Sequence, residues 1–217
     1  MPVLDHVFIC CSPEGVEADR VARLGLTEGQ ANTHPGQGTA SRRFFFSNAY
    51  LELLWVNDPE EAQGPLPRRT RLWERWAERA AGACPFGVVT RPRDPSDRAA
   101  PFPAWDYHPP YLPPTVAIEI AQDTPLSEPG LFHLAFARSP EETPAQPRAH
   151  RLGLGEVSRV TITLPGRAPL SAPAQAVERA SIVSFARGEA YLMTLAFDTA
   201  VTGRADLRPH LPLVLEW

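Results

Sequence analysis

The sequence predicts an α+β chain that opens with a βαβββ module, and three observations predict it. A dense apolar run from Val3 to Cys10, rich in β-branched and aromatic residues, has the length of a buried strand. An amphipathic stretch from Glu14 to Leu24 follows, with Val16, Val21 and Leu24 at roughly helical spacing and Gly25 as a stop signal. Three more strand-like runs come next, Glu28 to Asn32, Ser41 to Phe46 and Tyr50 to Val56. They are separated by His34-Pro-Gly-Gln-Gly-Thr39 and by Ser47-Asn48, both of which are turn chemistry. The order β, α, β, β, β therefore fills residues 1–60.

Residues 61–84 read as a linker built on a helix from Thr70 to Ala81, with Leu72, Trp73 and Trp76 on one side. Residues 85–217 read as one or more further, irregular β-rich modules of the same fold, the tail again running β, α, β, β. The strands are expected at Pro85 to Thr90, Leu131 to Ala137, Val157 to Leu164, Ala180 to Phe185 and Ala190 to Phe197, with a helix from Ala172 to Arg179. The proline-crowded segment from Arg91 to Pro114 gathers Trp105, Asp106, Tyr107, His108 and Tyr111, and would serve either as a cleft edge or as a stiffened surface loop. Ser139 to His150 is a second proline-rich linker.

Composition narrows the function. A chain of 217 residues, 43% hydrophobic and 21% charged, can bury a sizeable core. All 21 basic residues are arginine, and 25 acidic residues outweigh them. No cationic surplus is left to neutralise a nucleic-acid backbone or an anionic membrane, so neither is expected as a partner. Cys10, Cys11 and Cys84 lack any metal-type spacing and read as small buried hydrophobes. The first residues carry an acid where a secretory signal would be basic, and no run approaches the roughly 20 apolar residues of a membrane span, so a cytoplasmic setting is expected.

Strand alternation brings chemistry into view. Leu4, His6 and Phe8 share one face of the first strand, and Tyr50, Glu52 and Leu54 share one face of the fourth. Each face carries one ionisable group in apolar company. A buried carboxylate costs several kcal/mol unless a partner or a metal compensates it, so Glu52 needs one. Arg42 and Arg43 lie on the adjacent strand, one of them on the face of Glu52, and an arginine pair would satisfy it without metal. His34, in the glycine-rich turn, would either cap the loop or touch a substrate.

Leu4-Asp5-His6-Val7, His34-Pro35-Gly36-Gln37-Gly38-Thr39-Ala40 and Tyr50-Leu51-Glu52-Leu53-Leu54, in that order and spacing, resemble the glyoxalase-like domain of the vicinal oxygen chelate superfamily over about residues 3–58. The resemblance implies paired βαβββ modules that curl into a mixed-sheet half-barrel. It also implies a divalent metal, such as zinc, nickel, manganese or iron(II), held by His6 and Glu52. In the second half Glu119 would stand for the counterpart of Glu52, whereas Phe86-Gly87-Val88 offers no second histidine. The activity implied is that of an isomerase, lyase or dioxygenase on a small oxygenated substrate, with the ion stabilising developing negative charge and Glu52 available as base. The alternative is a metal-free small-molecule binder, for which Trp55, Trp105, Tyr107 and the Phe44 to Phe46 run supply apolar surface. Such modules pair within one chain or between two, and a free strand edge would favour a homodimer.

Overall fold

The apolar run at the N-terminus forms β1 (Pro2–Cys10), buried from Asp5 onward. After it, Pro13 starts a single 3-10 turn that Glu14 interrupts at φ 63°, so the helix expected from Glu14 begins only at α1 (Ala18–Leu24). Gly25 closes α1 at φ 113°, a conformation that strains any residue with a Cβ. The structure, a computed structural model, describes residues 1–142 and 146–217, so part of the linker expected from Ser139 to His150 lies outside the described residues.

The second strand is displaced from its expected position. It forms as β2 (Asn32–His34), because the amides ahead of it are already engaged: Thr27 N–H donates to His150 Nδ1 at 2.9 Å and Gln30 N–H to Gln146 Oε1 at 3.0 Å. Pairing with β3 (Thr39–Phe45) starts at Asn32. The turn between them depends on Gly38, which has φ 71° and would push a Cβ to 2.3 Å from the Asp58 carbonyl. β4 (Tyr50–Val56) then pairs antiparallel with β3 and parallel with β1. The linker holds a short α2 (Pro59–Ala62) and α3 (Leu72–Ala77), shorter than the expected helix because Arg71 sits at φ 58° and breaks its start. Buried Arg75 ties α3 down by donating to the carbonyls of Cys84 and Glu128.

Next come β5 (Phe86–Pro92), β6 (Ala104–Tyr107), β7 (Ile118–Ala121) and β8 (Gly130–His133). They complete one eight-stranded sheet in the order β2-β3-β4-β1-β5-β8-β7-β6. β5 is antiparallel to β1 and parallel to β8, as β1 is parallel to β4, so the two halves repeat each other about the β1–β5 pair. The second half has no helix after its first strand; the proline-rich segment stands there instead. This is the paired-module, curled mixed sheet of the α+β class.

Hydrogen bonding distributes residues 85–217, expected as one or more further β-rich modules, between two sheets. The second module is complete by His133, and the remainder forms its own five-stranded sheet. That sheet comprises β9 (Val157–Pro165), α4 (Ala172–Arg179), β10 (Ser184–Gly188), β11 (Leu192–Phe197), β12 (Arg204–Asp206) and β13 (Leu213–Glu216). Its order, β10-β9-β11-β13-β12, repeats the parallel and antiparallel pattern of β4-β1-β5-β8-β7. It is a reduced copy of the large sheet, lacking the outermost strands.

The two sheets share one core. Ile9, Leu53, Phe86 and Val88 from the large sheet pack with Ile162, Met193, Leu195 and Leu213 from the small one. Each fully buried side chain of this kind contributes roughly 1.5–3 kcal/mol. Cys11 and Cys84 lie in this core and Cys10 against the opposite face; all three are free thiols, and burial raises each above its ordinary pKa. The opposite face of the large sheet carries a second cluster, including Phe8, Leu54, Val89 and Phe132, covered only partly by Leu72 of α3. Among the described residues no helix is long and apolar enough to cross a membrane.

Two outcomes follow for stability. A Cβ on Gly87 would sit 2.0 Å from the Phe8 ring inside the central strand pair, so Gly87→Ala should cost about 1–3 kcal/mol, read as a lower urea midpoint. Buried His133 and His150 are held neutral, burial lowering each below its ordinary value of 6.5. The unfolded chain then binds more protons than the folded one below that pH, so stability should be level above about pH 6.5 and fall as pH drops through it. A urea midpoint that does not move between pH 7.5 and pH 5.5 would contradict this.

Candidate functional site

The partly covered face of the large sheet holds a cleft of about 760 Å³. Phe8, Leu54, Val89 and Phe132 form its apolar floor, and Tyr107, Tyr111 and Leu112 of the proline-rich segment form one wall. At one end the lining turns polar, with His6, Glu52, Tyr50 and His34. The expectation that His6 and Phe8 share a face with Tyr50, Glu52 and Leu54 matches this lining.

Leu4 does not join them, and the reason is a bulge. The register of β1 on β5 runs Leu4 to Thr90, then His6 to Val89, leaving Asp5 as an extra residue. A bulge breaks strict alternation and re-aims side chains. Leu4 turns to the far side of the sheet, and Asp5 comes beside His6, with Oδ1 2.6 Å from His6 Nδ1. A carboxylate can only accept here, so the imidazole proton lies on Nδ1 and the Nε2 lone pair faces the cleft. Nε2 lies 3.6 Å from Glu52 Oε2 and 3.5 Å from the Tyr50 hydroxyl, while the Tyr50 ring stacks on the imidazole at 4.1 Å and 16°. Burial, with the charges of Asp5 and Glu52 nearby, pushes Tyr50 well above its ordinary pKa, so its hydroxyl stays a neutral donor. Asp5 Oδ2 in turn lies 3.6 Å from Arg91 Nε.

Glu52 is only 6% exposed, yet no protein group donates a hydrogen bond to it among the described residues, and its one ion-pair contact is His6. The arginine rivals are engaged elsewhere. Arg42 binds Glu28 through two bonds of 2.6 Å and Asp19 at 2.9 Å, on the α1 side of the sheet. Arg43 stands opposite Glu52 in the register but donates to the Gln30 carbonyl and lies over the Phe45 ring. His34 lines the cleft with both nitrogens occupied, Nε2 accepting from Asn32 and Nδ1 donating to Thr39; burial lowers its pKa and keeps it neutral.

The remaining expected site residues scatter. Tyr107 lines the cleft, and burial pushes its hydroxyl up to about 12. Trp55 packs on the opposite face beside Gly15, and Trp105 lies under the Arg69 guanidinium at 4.1 Å, outside the cleft. Glu119 alternates with cleft-lining Ile118 and so points away, to 4.0 Å from His133 Nε2. His133 is itself satisfied by Thr90 and by the Arg98 carbonyl. The sequence reading passed over Asp5, whose one signal is a second polar residue beside His6 in an apolar strand, and Tyr50 as a stacking partner.

The donor set matches a resident divalent ion only halfway. A separation of 3.6 Å between Nε2 and Oε2 suits two ligands of one ion at bond lengths of about 2.1 Å, and the Asp5 contact is the support a ligating histidine usually has. The facing positions of the second module, Val89 opposite His6 and Phe132 on β8, offer no lone pair, and no third histidine, cysteine or carboxylate joins the pair among the described residues. Two protein ligands do not complete a resident site.

A curled sheet of two repeated halves, with a polar-headed cleft on its partly covered face, is the architecture of the vicinal oxygen chelate superfamily. The family model for the glyoxalase-like domain matches residues 4–151, most of the chain, and the chain belongs to that family. Curated proteins give no match. Among solved structures, a hypothetical protein from Staphylococcus aureus is similar at 10% identity and a TM-score of 0.59, covering 100% of this chain and 98% of that one. A xylose isomerase-like TIM barrel/4-hydroxyphenylpyruvate dioxygenase fusion protein aligns at 11% identity and a TM-score of 0.45, over 91% of this chain and 36% of its own length. The first shares the fold; the second is too distant to support any inference.

The orientation of His6 is open to direct measurement. Nitrogen-15 NMR of the histidines at pH 8 should show His6 as its Nδ1–H tautomer, and Asp5→Asn should mix the two tautomers. An Nε2–H tautomer in the unaltered protein would contradict the assignment.

Proposed function

We propose that the chain is a small-molecule enzyme whose cleft takes a substrate with an apolar body and an oxygen-bearing head, and that His6 is its general base. The observation that carries this reading is the Asp5–His6 pair, which aims Nε2 into the cleft beside Glu52, a buried carboxylate that receives no hydrogen bond among the described residues. The apolar body would lie on Phe8, Leu54 and Phe132, leaving the head at His6 and Glu52. In the reaction, Nε2 takes a proton from the carbon next to a substrate carbonyl. The C–H electron pair becomes a carbon–carbon double bond while the carbonyl π pair moves onto the oxygen, and the neutral Tyr50 hydroxyl is the nearest donor to that oxygen. The imidazolium so formed lies between the carboxylates of Asp5 and Glu52. Return of the proton to a neighbouring carbon completes an isomerisation, and loss of a leaving group completes an elimination.

A metal-assisted variant is the second reading, supported by the 3.6 Å separation of Nε2 and Oε2. Superfamily members often use divalent metals, and an ion bound here would polarise the substrate oxygen; His6 and Glu52 would hold it, with water or substrate supplying the other ligands. A homodimer is not needed to finish the cleft, since one chain supplies its floor and walls.

Proton exchange tests these readings. The protein is incubated in D2O with a panel of small hydroxyketones and 2-oxoacids, and proton NMR follows deuterium uptake next to the carbonyl. Exchange should persist in a chelator and fall by about 10²–10⁴-fold in His6→Gln. Exchange that a chelator abolishes and manganese or zinc restores would favour the metal-assisted variant. Binding of panel members without any exchange would favour a metal-free binder and overturn the enzymatic reading.

A further inference from the structure

A second cavity lies where the two sheets meet, on the other side of β1 from the cleft. It is an open pocket of about 970 Å³, the solvent at its mouth included, and is lined by Leu4 at the start of β1, by Arg91 and Arg93 at the end of β5, and by Arg159 of β9 with Ser158 and Ser184 at its rim. Three of its lining residues are arginines and none is acidic, in a chain whose acidic residues outnumber its basic ones. Chance placement of surface charge does not readily give such a concentration.

Arg91 is the inner member. Its side chain is 11% exposed, and its buried Nε has no hydrogen-bond partner among the described residues. Its other contacts are long, 3.5 Å to the Pro92 carbonyl and 3.3 Å to the Asn48 carbonyl, and Asp5 Oδ2 stays at 3.6 Å. That Nε is buried against Asp5, so the donors to spare are those of the two terminal nitrogens, each held by a single long carbonyl contact, and an oxyanion acceptor suits them. Arg93 and Arg159, both exposed, close on the same space from the two sheets. Three guanidinium groups suit a dianion better than a single carboxylate. The volume also exceeds what a bare phosphate needs, leaving room for the molecule that carries it.

We propose that this seam cavity is a binding site for a phosphorylated small molecule, anchored by Arg91 and clamped by Arg93 and Arg159. The site is separate from the cleft and stands or falls independently of the reaction proposed there. Because its walls come from both sheets, an occupant braces one sheet against the other.

Isothermal titration with inorganic phosphate, and separately with acetate at matched ionic strength, tests the proposal. Phosphate should bind about tenfold or more tightly than acetate. Arg93→Ser and Arg159→Ser, both on the surface and so expected to fold normally, should each weaken phosphate about tenfold, the value of a charge-assisted contact. Arg91→Lys keeps the charge but loses the fork, and should also weaken binding. Equal affinity for acetate and phosphate, no detectable phosphate binding, or phosphate affinity unchanged in Arg93→Ser and Arg159→Ser would each overturn the proposal.

Discussion

The β1–β5 pair and the one extra residue it carries govern everything else in this molecule. Two central strands of a mixed sheet run antiparallel, each flanked by a parallel partner, and both halves of the sheet grow outward from them. Within that pair the bulge at Asp5 lets two consecutive polar residues be buried together. Without it Asp5 would face the core between the sheets, where a carboxylate is costly, and His6 would lose the acceptor that fixes its proton. The bulge thus turns a burial problem into an oriented base. It also connects the two cavities, since Asp5 touches His6 on one side of β1 and approaches Arg91 on the other.

Repetition sets the larger plan. The large sheet is two similar halves, and the small sheet repeats its middle five strands in order and direction. The copies have diverged in what they bury. In the first half the cleft positions hold His6 and Glu52, whereas their facing counterparts are Val89 and Phe132. One half supplies the chemistry and the other an apolar surface. That asymmetry counts against a complete protein cage for a metal and in favour of a ligand with one polar end and one apolar end.

Much of this was legible in the sequence where a local pattern carried the information. The spans of β1, β4, α4 and β9 follow from hydrophobic periodicity, and parity put His6 with Phe8 and Glu52 with Leu54, while the resemblance brought the two strands side by side. Features set by distant contacts were not legible. β2 shifted because His150 and Gln146, more than a hundred residues away, occupy the amides before it. Strands β6, β12 and β13 are three or four residues long, too short for a period to show. Arg42 or Arg43 was expected as the rival partner for Glu52, yet Glu28 and Asp19 hold Arg42 on the opposite face and Arg43, opposite Glu52 in the register, donates to the Gln30 carbonyl. The bulge at Asp5 is a property of pairing with β5, and nothing within Leu4-Asp5-His6 announces it.

The proline-rich connection from β6 to β7 shapes how the cleft can behave. Pro109, Pro110, Pro113 and Pro114 bracket Tyr111 and Leu112 of the cleft wall, and the ring of each fixes a backbone torsion covalently. Such a chain has less freedom to lose, whether on folding or on closing over a guest. A ligand entering the cleft therefore spends less of its binding energy on ordering that stretch of wall.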